Sequence, residues 1–284
     1  MIIDFRYQEG KWIHNIFLAF VHVLMAVYVI LIFYPLFNMV ISSIKTTREI
    51  FQSPFGFPEE IKIENYKIVW VDRGFGIYFG NSLFVTVFAM FFVILFGSMA
   101  SYGVSRYKYK LRTGVYMFFL SGIMLPLKVA IIPLFLIVKN LGLMDKHISI
   151  ILIFIAMGLP STVFILSGFM KTIPMDLEYA GRIDGCNDWM LYRRIVMPIT
   201  QSAVALVTIY NAVPIWNDFF FPLVFIQSNR LKTLPVGLST FFGQFSTNWS
   251  LLFTGLSIAI LPMLVLYIFM SKYFIRGMTA GAIK

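Results

Sequence analysis

Residues 171–200 read KTIPMDLEYAGRIDGCNDWMLYRRIVMPIT, a polar island set between two long apolar runs. Charges of both signs alternate along it. Helix-compatible segments meet at Asp184-Gly185, where glycine accepts a left-handed backbone that other residues resist. The expected shape is a short helix, a turn and a second helix lying against a membrane, displayed for contact with another protein.

The runs on either side set the class of the chain. Hydrophobic residues make up 59% of the 284 positions and charged residues 13%, and a membrane helix needs about 20 apolar residues. Six spans are expected, near 16–42, 79–104, 113–139, 147–170, 201–226 and 250–274. The first run is too long for a signal-peptide core and lacks a small-residue cleavage site, so it is expected to remain as a helix. The fold class is all-α integral membrane, one transmembrane domain over 1–284 with the 171–200 loop inside it. Too little chain is left over for a soluble domain.

Basic residues orient the spans. Arg106, Lys108, Lys110 and Arg112 crowd the second connection, and Lys171, Arg182, Arg193 and Arg194 lie in the island. Both connections are expected on the cytoplasmic side, with both termini there too. The net charge of +10 then reflects basic loops facing anionic lipid, and no basic module large enough for nucleic acid exists. Cys186 is the single cysteine, so no intramolecular disulfide forms. His14, His22 and His147 lack metal-ligand spacing.

Proline marks the spans at Pro35, Pro126, Pro133, Pro160, Pro214, Pro222 and Pro262. Each removes a helix hydrogen bond and crowds the carbonyl four residues earlier; in lipid such gaps are covered by neighbouring helices or face water. Pro214 and Pro222 loosen the carbonyls of Tyr210 and Asp218. Two ionisable side chains fall within spans, Lys128 and Asp218, at a cost of about 2.5–3.5 kcal/mol each at mid-membrane. At about 1.5 Å of rise per residue their depths differ by only a few ångströms, so they either pair or face one aqueous cavity.

The island has a recognisable spacing: Ala180, Asp184-Gly185, Ile195, then Met197-Pro198 before the next span. It resembles the EAA loop of ABC importer permeases, whose first helix, the coupling helix, docks on a cytoplasmic ATPase. The position usually held by glutamate is Tyr179, with Glu178 just before it, and the second alanine is Gly181. The resemblance extends through Tyr34-Pro35, Ser42-Ser43-Ile44-Lys45, Asn81-Ser82-Leu83, Ala100-Ser101-Tyr102, Met124-Leu125-Pro126, Trp216-Asn217-Asp218, Thr233-Leu234-Pro235 and the tail Arg276-Gly277-Met278-Thr279-Ala280-Gly281-Ala282. These are similar to the carbohydrate branch, maltose-type.

That resemblance implies a permease subunit of a sugar or oligosaccharide importer in a bacterial or archaeal cell membrane. It implies a second permease, two ATPases and an extracytoplasmic sugar-binding protein as partners. Glu178, Tyr179, Ala180, Gly181, Arg182, Asp184 and Gly185 become the ATPase-coupling residues. Asn217, Asp218, Lys128 and Trp216 are the substrate-path candidates. Rings at Trp216, Phe219, Phe220 and Phe221 suit the apolar faces of sugars and equally suit packing against lipid or partner helices. The outer loop with Asn65-Tyr66 and Trp70 is a candidate contact for the binding protein, with ordinary loop packing as the plainer role.

The chain contains no GxxxxGK[ST] phosphate loop, so ATP and Mg are expected on separate subunits. No acid, base and nucleophile set indicates an enzyme. A permease for amino acids, polyamines or phosphate is the alternative within the class. A secondary transporter using Lys128 and Asp218 is the alternative outside it, and leaves the island's spacing unexplained.

Overall fold

The computed structural model describes residues 2–242 and 247–280. Its secondary structure is helical, and among the described residues the single extended pairing is the isolated bridge between Phe242 and Thr247. The chain divides into two compact units, Met1–Val69 with Phe241–Ile258, and Trp70–Thr240 with Ala259–Lys284.

The first unit is built on the Ile2–Ser43 helix. Helix ends leave carbonyls without intrahelical partners, and three side chains satisfy them here. Asn65 Nδ2 donates to the carbonyls of Ser43 and Lys45, Ser250 Oγ donates to Lys45 O at 2.6 Å, and Thr254 Oγ1 donates to Ser43 O at 2.8 Å. Thr46 and Glu49 then form a capping box that starts the Thr47–Gln52 helix. Backbone and side-chain hydrogen bonds from Thr46, with further N–H donors from Glu59 and Glu60, lower the Glu49 carboxyl pKa to about 2.

In the second unit the Phe75–Arg106 and His147–Thr172 helices lie side by side, joined by the Arg112–Met124 and Gln201–Asn217 helices. Val85, Ala89, Ile150, Phe154, Ala212, Phe221 and Phe225 share one buried cluster, and Tyr102, Leu166, Met170, Tyr192, Val196 and Val207 share another. Apolar lipid supplies little drive to bring helices together, so small residues at the crossings set how closely they pack. Gly97 is such a residue: a Cβ there would lie 2.3 Å from Thr162 Cγ2 and 2.9 Å from Thr162 Cβ.

Among the described residues, four helices are long and apolar enough to cross a membrane: His14–Ser43, Phe75–Arg106, His147–Thr172 and Trp249–Lys272. The third and fifth runs, read from sequence as continuous, are each two shorter helices. The third breaks between Arg112–Met124 and Ile131–Asn140. Leu125 takes an extended conformation, φ −79° and ψ 118°, because Pro126 disfavours helical geometry in the residue before it. The fifth breaks between Gln201–Asn217 and Phe220–Phe225, at Asp218, four residues before Pro222.

The Gly97 crossing yields a prediction. Gly97→Ala should lower the thermal unfolding temperature of the purified protein in detergent, by about 1–3 kcal/mol of stability. Gly103→Ala, whose Cβ would meet nothing within 4 Å, should leave it unchanged or raise it; equal effects would contradict the close crossing.

Candidate functional site

The 171–200 island folds as two arms around a tight turn. The His147–Thr172 helix stops at Ile173, extended at φ −74° and ψ 126°, ahead of Pro174. The Asp176–Ile183 helix follows, with Asp176 and Glu178 in its first turn and Arg182 in its last, the polarity its dipole favours. It ends in a Schellman motif. Cys186 N donates to Gly181 O at 2.9 Å and Gly185 N donates to Arg182 O at 3.1 Å, with Gly185 at φ +82°. Asn187 Oδ1 then accepts the Met190 N–H at 2.9 Å and caps the second arm. That arm runs through Asp188–Met190, a widened turn at Leu191–Val196 and Met197–Ile199. A bend of 76° separates it from the Gln201–Asn217 helix.

The first arm has two unlike faces. Tyr179 is 56% exposed and Ile183 87% exposed, and with Asp176 and Ala180, also exposed, they follow the i, i+3, i+4, i+7 spacing of one helical face. Glu178 and Gly181, expected at a partner interface, point inward instead. Gly181 lets the arms close: a Cβ there would sit 2.6 Å from Ile195 Cδ1 and 2.7 Å from Leu191 Cδ2. Glu178 Oε1 pairs with Arg106 Nε at 2.7 Å, the two side chains 4% and 5% exposed, and Glu178 Oε2 accepts from Tyr102 Oη at 3.2 Å. Arg182 pairs with Asp188 at 2.6 Å on the surface. Hydrogen bonds from Tyr107 and Arg182 hold Asp188 below the usual carboxylate range, while burial and the same bond push Tyr107 up.

A second feature is a cavity of about 900 Å³ at the two helix breaks. Its lining includes Leu125, Lys128, Ser161, Tyr210, Asn211, Asn217 and Asp218. Lys128 and Asp218, matched in depth from sequence, meet here: Nζ lies 3.5 Å from Oδ2, with Lys128 61% exposed and Asp218 7% exposed. Asp218 also has a local task, since its Oδ1 accepts the Phe221 N–H at 2.8 Å and starts the helix beyond the break. Asn217 borders the cavity while its Nδ2 donates to Val213 O at 2.9 Å.

Trp216 lies elsewhere. Expected along a substrate path, it is buried, donates from Nε1 to Ala259 O at 3.0 Å and meets the Phe79 ring edge-on at 5.6 Å. One helical residue turns by about 100°, enough to send Trp216 inward and Asn217 outward. Asn211 was missed. It accepts from Ser161 Oγ at 3.1 Å and donates to Thr162 Oγ1 at 3.3 Å. Its position seven residues before Asp218, as an amide in an apolar run, is the signal that would have found it. The tail motif expected near Arg276 lies where no side chains are described, and its last residues fall outside the described residues.

The two charged residues at the break predict unequal effects. Asp218→Ala removes a helix-starting acceptor and a buried carboxylate, and should cost about 1–2 kcal/mol. Lys128→Ala removes a partner that is itself exposed, and the carboxylate left behind keeps the Phe221 N–H and faces the cavity, so it should cost about 0–1 kcal/mol. Thermal unfolding in detergent checks the order, and the reverse order would contradict it.

Residues 77–280 match the family model described as "Binding-protein-dependent transport system inner membrane component". The chain is 34% identical to the melibiose/raffinose/stachyose import permease protein MelC of Bacillus subtilis (strain 168), covering 89% of this chain and 91% of MelC. It is 33% identical to the probable ABC transporter permease protein YurM of the same strain, covering 93% and 88%. It is 30% identical to the diacetylchitobiose uptake system permease protein NgcG of Streptomyces coelicolor (strain ATCC BAA-471 / A3(2) / M145), covering 94% and 89%. A solved bacterial ABC transporter for import of the acidic polysaccharide alginate shares the fold, with a TM-score of 0.79 at 22% identity over 92% of this chain and 97% of that one. The chain belongs to the family of binding-protein-dependent transport system inner membrane components.

Proposed function

We propose that this chain is one permease subunit of an ATP-driven importer of sugars or oligosaccharides, coupled to ATPases through the 171–200 loop. The observation that carries this reading is the first arm of the loop. A helix of eight residues, closed by a left-handed turn at Gly185, displays Tyr179, Ala180 and Ile183 as exposed residues among those described. An amphipathic helix with anchors at i, i+3, i+4 and i+7 is the form that docks in a groove of another protein. The relatives named for melibiose, raffinose, stachyose and diacetylchitobiose support a carbohydrate cargo.

In this reading the chain crosses the membrane six times, the broken third and fifth runs each counting once, with the loop and both termini in the cytoplasm. A second permease completes the path. Two ATPases bind ATP and Mg and clasp the two coupling helices, and an extracytoplasmic binding protein delivers the sugar. Nucleotide must bind one ATPase arrangement better than the other for any motion to follow. Each arrangement of the ATPases then selects an inward- or outward-open path. The cavity at Lys128 and Asp218 is this chain's share of that path. Asn217 and Tyr210 offer hydrogen bonds and Phe219 offers a ring, while Asn211 is engaged by Ser161, Thr162 and Val207 and Lys128 lies over the Phe220 ring.

The test is purification with associated proteins, followed by uptake of melibiose, raffinose, maltose and diacetylchitobiose into liposomes holding the complex and its binding protein. Uptake should require ATP on the loop side. Uptake driven by an ion gradient without ATP would overturn the reading. Gly185 provides a sharper check, because a Cβ there meets nothing within 4 Å, so the cost of substitution is backbone strain of about 1–2 kcal/mol. Gly185→Val should assemble yet lose most ATP-dependent uptake, while Gly185→Asn, which tolerates the left-handed region, should retain much more. Equal, full uptake by both would contradict the role of the turn.

A further inference from the structure

The two arms of the loop are continuous with the His147–Thr172 and Gln201–Asn217 helices, yet their polar side-chain anchors lie on another one. Ser98, Tyr102 and Arg106 are four residues apart on the Phe75–Arg106 helix, which puts them on one face over about 12 Å. Arg106 pairs with Glu178 of the first arm, and both of its terminal nitrogens donate to Ile173 O at 3.1 Å. Tyr102 donates to the same Glu178 carboxylate. Ser98 Oγ lies 2.7 Å from Tyr192 Oη of the second arm, and the Tyr102 and Tyr192 rings are 5.5 Å apart.

The opposite end of this helix holds a different segment. Asn81 Nδ2 donates to the carbonyls of Arg230 and Lys232 at 2.8 and 2.9 Å. Ser82 Oγ accepts the Leu234 N–H at 2.8 Å. Tyr78 packs so closely on Gly237 that a Cβ there would lie 2.2 Å from its ring. Residues 81 and 106 are joined by uninterrupted helix without internal proline, about 37 Å of rod.

We propose that the Phe75–Arg106 helix is a push-rod that ties movement of the 171–200 loop to the 230–238 segment at the far side of the membrane. Glu178 and Tyr192 are its positioning residues at the loop, and Asn81 and Ser82 at the other end. The proposal rests on the permease reading and adds the route by which the loop acts. A helix resists compression and bending along its hydrogen-bonded length, whereas the third and fifth runs are broken at 125–130 and 218–219. The Phe75–Arg106 helix, gripped at both ends, has no such joint. Nucleotide-driven displacement of the first arm therefore reaches the 230–238 segment without being absorbed at a hinge.

The test uses the full complex of permeases, ATPases and binding protein in lipid nanodiscs and liposomes. Uptake of raffinose per ATP hydrolysed is measured, with hydrogen exchange of the 230–238 amides with and without ATP and vanadate. In the unaltered complex, trapping the nucleotide should change exchange across 230–238. Tyr192→Phe should keep the ATPases bound and hydrolysing while uptake per ATP falls about five- to tenfold and the exchange response is lost; Glu178→Gln, which also removes the charge that sets the rotation of the first arm, should lose the same response and hold the ATPases less tightly. The exchanged pair Arg106→Glu with Glu178→Arg should regain part of both. Should Glu178→Gln fail to assemble, Tyr192→Phe decides alone, since it removes one hydroxyl. Normal uptake per ATP with an intact exchange response in Tyr192→Phe would overturn the push-rod. Absence of ATP-driven uptake by the unaltered complex for every sugar in the panel would instead count against the permease reading.

Discussion

A carboxylate removed from water determines how the loop presents itself. Glu178 is buried, and an unpaired charge there would cost several kcal/mol, so the fold must supply a cation. Arg106 supplies it, with Nε 2.7 Å from Oε1 as a charge contact without a hydrogen bond between those two atoms, and removing either partner alone is expected to cost about 3–5 kcal/mol. The pair fixes the rotation of the Asp176–Ile183 helix. Once Glu178 faces inward, helical geometry sends Tyr179 and Ile183 outward. The exposed face is therefore mainly aromatic and aliphatic after Asp176, with Arg182 already engaged by Asp188.

The same economy of polar groups governs the cavity. Irregular backbone at membrane depth is tolerated where it is buried in protein or faces water, and both breaks in the apolar runs open on one cavity. Pro126 ends one helix and the pairing of Asp218 with the Phe221 N–H begins another. The breaks bring Lys128 and Asp218 within 3.5 Å, so the two charges offset each other. The wall around this pair is mainly apolar, with Ser161, Tyr210, Asn211 and Asn217 set into it as polar groups.

Much of this was readable from residues. Long apolar runs gave the membrane class, Gly185 gave the left-handed turn, and similar depths left Lys128 and Asp218 either paired or facing one cavity, where the 3.5 Å contact shows the pair. Other features depend on rotation about a helix axis, which spacing alone does not reveal. Glu178 and Tyr179 are adjacent in sequence and about 100° apart around the helix, and the Arg106 contact marks which of them is buried. Trp216 was read as part of a path because aromatic residues suit sugars, yet its indole N–H found a carbonyl at Ala259. The third run looked continuous because hydropathy does not register the conformational cost that Pro126 imposes on Leu125. Gly181 was read as a small residue for a partner; its neighbours Leu191 and Ile195 lie in the opposing arm, a contact visible only once the turn is closed.

The central claim is that an outward-facing helical surface on the 171–200 loop is gripped by an ATPase. Photo-crosslinking from single positions in the native membrane measures this most directly, with a photoreactive residue placed in turn at 178, 179, 181 and 183. Positions 179 and 183 should yield adducts with an ATP-binding protein, and positions 178 and 181 should yield none. Adducts from 178 and 181, or silence from 179 and 183 in an assembled complex active in uptake, would contradict the account.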